Sequence, residues 1–147
     1  LGIMLAGWMI IIFWFSNQPA TESSEISGTI SYRLVEDTDE IFNWGLTTDQ
    51  IGNIAGNIEY PIRKAAHMTE YAILAFLLYK TFIHKQNPLI KSFIFTALYA
   101  CSDEFHQLFI PGRAGQIRDV CIDSTGALIM ILIIYFILKR KEKKIGS

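Results

Sequence analysis

Polar and apolar positions divide the chain into four apolar runs, separated by one long polar segment and two short ones. The first run, Leu1 to Phe15, is continuously apolar and stops at Ser16-Asn17-Gln18-Pro19. A helix that crosses a bilayer needs about 20 such residues. No small-residue cleavage site follows the run, so a membrane helix is expected here rather than a signal peptide. Because the chain opens on Leu1 without Met, that helix is expected to have lost its beginning. Residues 16 to 62 are polar overall. Ile26, Ile30 and Leu34 recur every four residues, which predicts an amphipathic helix. Ile41, Phe42, Trp44 and Leu46 form an apolar knot, and Ile51, Ile54, Ala55 and Ile58 a second short amphipathic piece that Pro61 is expected to end. Such a connection is expected to lie on a membrane surface or cap the bundle.

The remaining runs predict helices over about 64–83, 89–110 and 118–138, the third opened by Pro88 and broken by Pro111-Gly112. Hydrophobic residues make up 51% of the 147, and the mean hydropathy is +0.30, too apolar for an ordinary soluble domain. The expectation is therefore a single all-α domain: an integral membrane bundle of four transmembrane helices, with an amphipathic outer-face segment between the first two. Trp8 and Trp14 are candidate interfacial anchors, and Cys101 and Cys121, lying in apolar runs without zinc spacing, are expected as buried thiols.

The net charge of −1 says little, but its distribution sets a topology. Residues 80–91 and the tail from Lys139 hold eight of the thirteen Lys and Arg residues and one acid, Glu142. By the positive-inside rule both termini and the 80–91 loop are cytoplasmic. The opposite ends of the helices, with the other thirteen acids, face outward.

Those outer ends carry the candidate chemistry. Around Cys101 to Arg113 an apolar helix turns abruptly ionisable, and ionisable groups at membrane depth read as functional. Arg63, His67 and Glu70 share a face of the second helix, with Lys64 beside them. Asp103 and Gln107 share a face of the third, bordered by Glu104, and Asp119, Asp123 and Gly126 align on the fourth. Packed together, they and Arg113 would line a cavity open to the outside, with Gly126 allowing close helix approach beneath it. Arginine holds phosphate bidentately, so Arg63, Lys64, Asp103, Gln107, Arg113, Asp119 and Asp123 are the candidate binding residues. His67, Glu70 and Glu104 are the candidate acid and base, should a reaction occur. No helical zinc signature and no phosphate-cradling glycine loop is present, so neither metal nor cofactor is expected.

Four motifs, in order and at the family's spacing, give the chain a resemblance. They are Ser16-Asn17-Gln18-Pro19; Arg63-Lys64-Ala65-Ala66-His67-Met68-Thr69-Glu70-Tyr71; Asp103-Glu104-Phe105-His106-Gln107 with Pro111-Gly112-Arg113; and Asp119-Val120 with Gly126. Together they resemble the VanZ-like membrane proteins, named for a component of glycopeptide-resistance clusters. The resemblance implies a small cell-membrane protein linked to lowered susceptibility to teicoplanin-type lipoglycopeptides. One departure stands out: where the family usually carries Asn, this chain reads Cys121-Ile122-Asp123-Ser124-Thr125-Gly126, which adds a carboxylate to the pocket floor.

Two readings remain open at this stage. In one, an outward-facing pocket binds or modifies an anionic membrane lipid or a lipid-linked cell-wall precursor. In the other, the protein is a non-catalytic resistance or immunity factor whose polar cluster is a structural salt-bridge network. No nucleic-acid partner is expected, and the oligomeric state is left open.

Overall fold

A computed structural model describes residues 1–145 as five helices, and no strand occurs among the described residues. They are α1 (Gly2–Ser16), α2 (Ala20–Phe42), α3 (Thr48–Phe82), α4 (Pro88–Gln107) and α5 (Ile117–Ile145). α2 leaves α1 at 102° and returns along the first half of α3 as a hairpin. The turn between them follows from its residues: Asn43 and Gly45 both take positive φ, and Thr47 with Gln50 forms a capping box that starts α3. The second half of α3 packs with α1, α4 and α5.

Pro61 does not end a helix as the sequence suggested; it lies inside α3. A proline there forfeits one backbone hydrogen bond and crowds the preceding turn. Packing on both flanks outweighs that cost, because Ile51 and Ala55 are buried against Val35 of α2 while Tyr71, Leu74 and Ala75 are buried in the bundle. α4 stops at Gln107, three residues early. Successive short-range turns through Phe109, Ile110 and Arg113 replace its last turn, and Gly112 reverses the chain at φ +74°. α5 continues past residue 138 through the basic tail, whose Lys, Arg and Glu are strong helix formers.

The bundle has an apolar core that includes Ile12, Tyr71, Leu74, Ala75, Ala100, Ala127 and Ile131, yet α4 and α5 also bury polar groups and expose large apolar ones. The buried seam of α4 is Ser92, Thr96, Ala100, Asp103, Glu104 and Gln107, whereas its Ile90, Ile94, Phe95, Leu98 and Phe105 are exposed. The Ser92 and Thr96 hydroxyls donate to the carbonyls of Pro88 and Ser92, so their burial leaves no donor unpaired. α5 likewise buries Asp123 and Ala127 and exposes Leu128, Ile129, Leu132 and Ile133. This inversion of the soluble pattern suits a lipid surrounding. Among the described residues, α5 alone is by length and composition long and apolar enough to cross a membrane, joined by a second span if the bent pair α1 and α2 counts as one. The all-helical expectation holds, whereas one or two spans, not four, meet that criterion. Arg63 and Lys64 in the middle of α3, and Asp103 and Glu104 toward the end of α4, dilute the apolar stretches of those helices.

The predicted amphipathic helix is present as α2, with Ser27, Ser31 and Val35 on its inner face and Ile26, Ile30 and Leu34 facing outward. Two local expectations are corrected. Trp8 is no interfacial anchor: its Nε1 donates to the Glu70 carbonyl at 2.9 Å inside the bundle, whereas Trp14 is exposed. Cys101 and Cys121 are free and exposed, because each lies on the outward face of its helix.

Candidate functional site

The middle of α3, the end of α4 and the start of α5 converge because small residues let them. A side chain built at Gly126 of α5 would run into the backbone of Met68 on α3, so the two helices touch there as only glycine permits. At Gly115 a side chain would meet the Glu104 carbonyl and Leu108, which keeps the α4–α5 loop tight against α4.

Between these ends lies a cavity of about 160 Å³. Eight of the expected residues line it: Arg63, Lys64 and His67 from α3, Glu104 and Gln107 from α4, Arg113 from the loop, and Asp119 and Asp123 from α5. Two do not. Asp103 is buried behind Gln107, and Glu70 faces a neighbouring cavity of about 250 Å³.

Their partners are specific. Gln107 Nε2 donates to Ser16 Oγ at 3.0 Å and to Asp103 Oδ2 at 3.4 Å, tying the end of α1 to α4. Glu104 Oε2 accepts the Gln116 N–H at 2.9 Å and so caps the start of α5. Lys64 Nζ lies 2.6 Å from Asp119 Oδ2. Arg63 sits 3.7 Å from Glu59, and His67 Nδ1 is 3.5 Å from Glu70 Oε2. Among the described residues, Lys64–Asp119 is the one ion pair that joins two helices; the other two lie within α3. Asp103, Glu104 and Asp123 have no cation within ion-pair distance among them.

Arg113 is held differently from what its motif suggested. Its Nε donates to the Gln18 carbonyl at 2.9 Å, and an Nη reaches the Phe15 carbonyl at 3.4 Å. It thus caps the C-terminal end of α1, where free carbonyls and the helix dipole favour a cation. Burial pulls its pKa below the usual arginine value, and the Asp103 charge opposes that shift. Guanidinium stays protonated regardless.

Several contributors were not singled out as site residues by sequence reasoning. Ser16 is fully buried as the Gln107 partner, and Tyr71 is fully buried with its hydroxyl beside the Asp103 carboxylate. The Tyr60 ring lies under both Lys64 and Arg118, at 5.4 and 5.9 Å. The signal for the first two was present, since both belong to the quoted motifs. His106 lies off the Asp103–Gln107 face and meets Asn17 at 3.2 Å and Phe13. No group of three or more metal-ligating side chains clusters among the described residues.

The described residues are all-helical, expose large apolar side chains, gather ionisable groups from three helices and a loop into a small cavity, and include one helix long and apolar enough to cross a membrane. The model of the VanZ/LLP1 family matches residues 1–139, and the chain belongs to that family. It is thereby a VanZ-like, resistance-associated protein. No curated protein and no solved structure matches it.

Proposed function

We propose that this protein is a bacterial cell-membrane protein with four spans and both termini cytoplasmic. Its outward-facing polar cavity binds or modifies an anionic lipid or a lipid-linked cell-wall precursor, in the setting of teicoplanin-type glycopeptide resistance. The observation that carries this reading is the cavity itself, which Arg63, His67, Arg113, Glu104 and Asp123 line without an ion pair among them, Lys64–Asp119 being the one pair across it among the described residues. A salt-bridge network tying three helices would need several interhelix pairs, and one is observed. α4 spans roughly 30 Å at 1.5 Å per residue, enough for a hydrocarbon core. His67 Nδ1 and Glu70 Oε2 lie 3.5 Å apart without a hydrogen bond between them, and with Glu104 they are the groups available for acid–base work.

Mass spectrometry of lipids copurifying with the protein tests the ligand. Wild type is expected to retain a phosphate-bearing lipid. His67→Ala, with expression and melting temperature near wild type, is expected to lose function. Gln107→Ala also strands Asp103 and Ser16, so about 1–3 kcal/mol of stability should go with it. Unaltered function in the His67 variant would remove the acid–base role.

The topology is tested separately. A reporter active only outside the cytoplasm, inserted at Gly45, should be active; one placed at 84–87 or fused after the C-terminus should be silent. Activity at 84–87 would place the cavity on the cytoplasmic side.

A further inference from the structure

Two cavities meet at one wall. The polar cavity of about 160 Å³ and the neighbouring one of about 250 Å³ share Arg63, His67 and Arg113. The second is mostly apolar, walled by Phe15, Ile26, Ile30, Ile62 and Ala66, with Glu70 beside His67 as its one carboxylate. Ile26 and Ile30 are 46% and 51% exposed, so this chamber opens on the outer surface of the helices, where lipid would lie. The carboxylates of the polar chamber, Glu104, Asp119 and Asp123, do not line the apolar one. Moving from the surface inward, the order is therefore apolar walls, then two guanidiniums and an imidazole, then carboxylates.

Asp119 pairs one oxygen with Lys64 while its other oxygen is buried without a partner, and Glu104 accepts a backbone N–H. Asp123 is 2% exposed, faces the cavity, and has neither an ion pair nor a hydrogen bond among the described residues. A buried carboxylate either takes up a proton or finds a compensating cation, and an ammonium is such a cation. A purely anionic head group would not supply one, and would set its phosphate against Asp123 and Glu104.

We propose that the two chambers form one site for an amphiphile built as alkyl chain, phosphate and amine, in the manner of a phosphoethanolamine lipid. The chain occupies the apolar chamber, the phosphate sits on the Arg63–Arg113 wall, and the ammonium meets Asp123. This rests on the lipid-phosphate reading above and narrows it. Size agrees: drug-sized ligands occupy roughly 300–1,000 Å³, so the head chamber admits a small group and excludes a sugar–peptide head.

The test uses the whole protein in a maltoside detergent, which carries neither phosphate nor amine. Dodecylphosphoethanolamine and dodecyl phosphate share a chain and therefore partition alike. The amine probe is expected to bind about tenfold tighter or better, as a close, partly desolvated charge pair provides. Free phosphoethanolamine, lacking the chain, should bind at least tenfold more weakly than its dodecyl ester. Asp123→Asn should weaken the amine probe while strengthening dodecyl phosphate, and Ala66→Phe, which fills the apolar chamber, should weaken both dodecyl probes. Equal affinity of the two dodecyl probes for wild type overturns the proposal, as does parity between free and dodecyl phosphoethanolamine. So does a uniform loss in Asp123→Asn; should that variant fail to fold, the wild-type ratios decide. If neither dodecyl probe binds, the lipid-phosphate reading itself falls.

Discussion

Gly126→Leu is expected to be the most damaging single change in the bundle, lowering the melting temperature in detergent by several degrees. Gly126 is buried, and the position its side chain would occupy is held by Met68 backbone, which cannot turn aside as a flexible side chain would. α3 and α5 must therefore move apart. Overpacking of this kind typically costs about 1–3 kcal/mol, and more where backbone is the obstacle. The separation would also part Lys64 from Asp119, now 2.6 Å apart, and widen the cavity above. Even Gly126→Ala should be measurably destabilised, because the clash begins at the first side-chain carbon. An unchanged melting temperature for both variants would mean that the α3–α5 contact is looser than described.

Arg113→Gln is the second large effect. The guanidinium closes the end of α1 through the Gln18 and Phe15 carbonyls and at the same time walls both cavities. Hydrogen bonds from a charged donor contribute about 1.5–3 kcal/mol. Glutamine is shorter and neutral, so both stability and retained phosphate lipid should fall. Arg113→Lys separates the two roles. Lysine keeps the charge but offers no planar fork, so it can bond one carbonyl and should recover only part of the melting temperature. Lipid retention should stay near the glutamine level if phosphate takes two bonds from the guanidinium. Wild-type retention and stability in Arg113→Lys would show that charge alone suffices.

The motif residues of α3, α4 and α5 were legible because each set repeats at helical spacing, and residues that share a helix face must share a neighbour. Arg63 with His67, Asp103 with Gln107, and Asp119 with Asp123 needed nothing beyond that geometry to be placed near one another once their helix ends were aligned. Gly126 was legible for the same reason, as the small residue below two acids on one face. Periodicity also located the helices, although not their ends: Pro61 reads as a stop, yet packing on both sides of it carries α3 through.

What periodicity could not decide is which face points inward. The repeat of Ile26, Ile30 and Leu34 marks one face of a helix but not what that face meets. In the structure Ser27, Ser31 and Val35 are inside, and the isoleucines open onto the apolar chamber and the surface. The cysteines mislead in the same way, because a thiol in an apolar run can face lipid as readily as protein. Only the tertiary structure joined Gln107 to Ser16, Arg113 to the end of α1, and Trp8 to Glu70. Those hydrogen bonds link residues 91, 95 and 62 positions apart, and no local pattern encodes them. The sequence thus determined the helices and the polar face each one carries. The tertiary structure decided that the guanidiniums stand between an apolar chamber and a carboxylate-lined one, because that order depends on how α1, α2 and the α4–α5 loop close over the three helix ends.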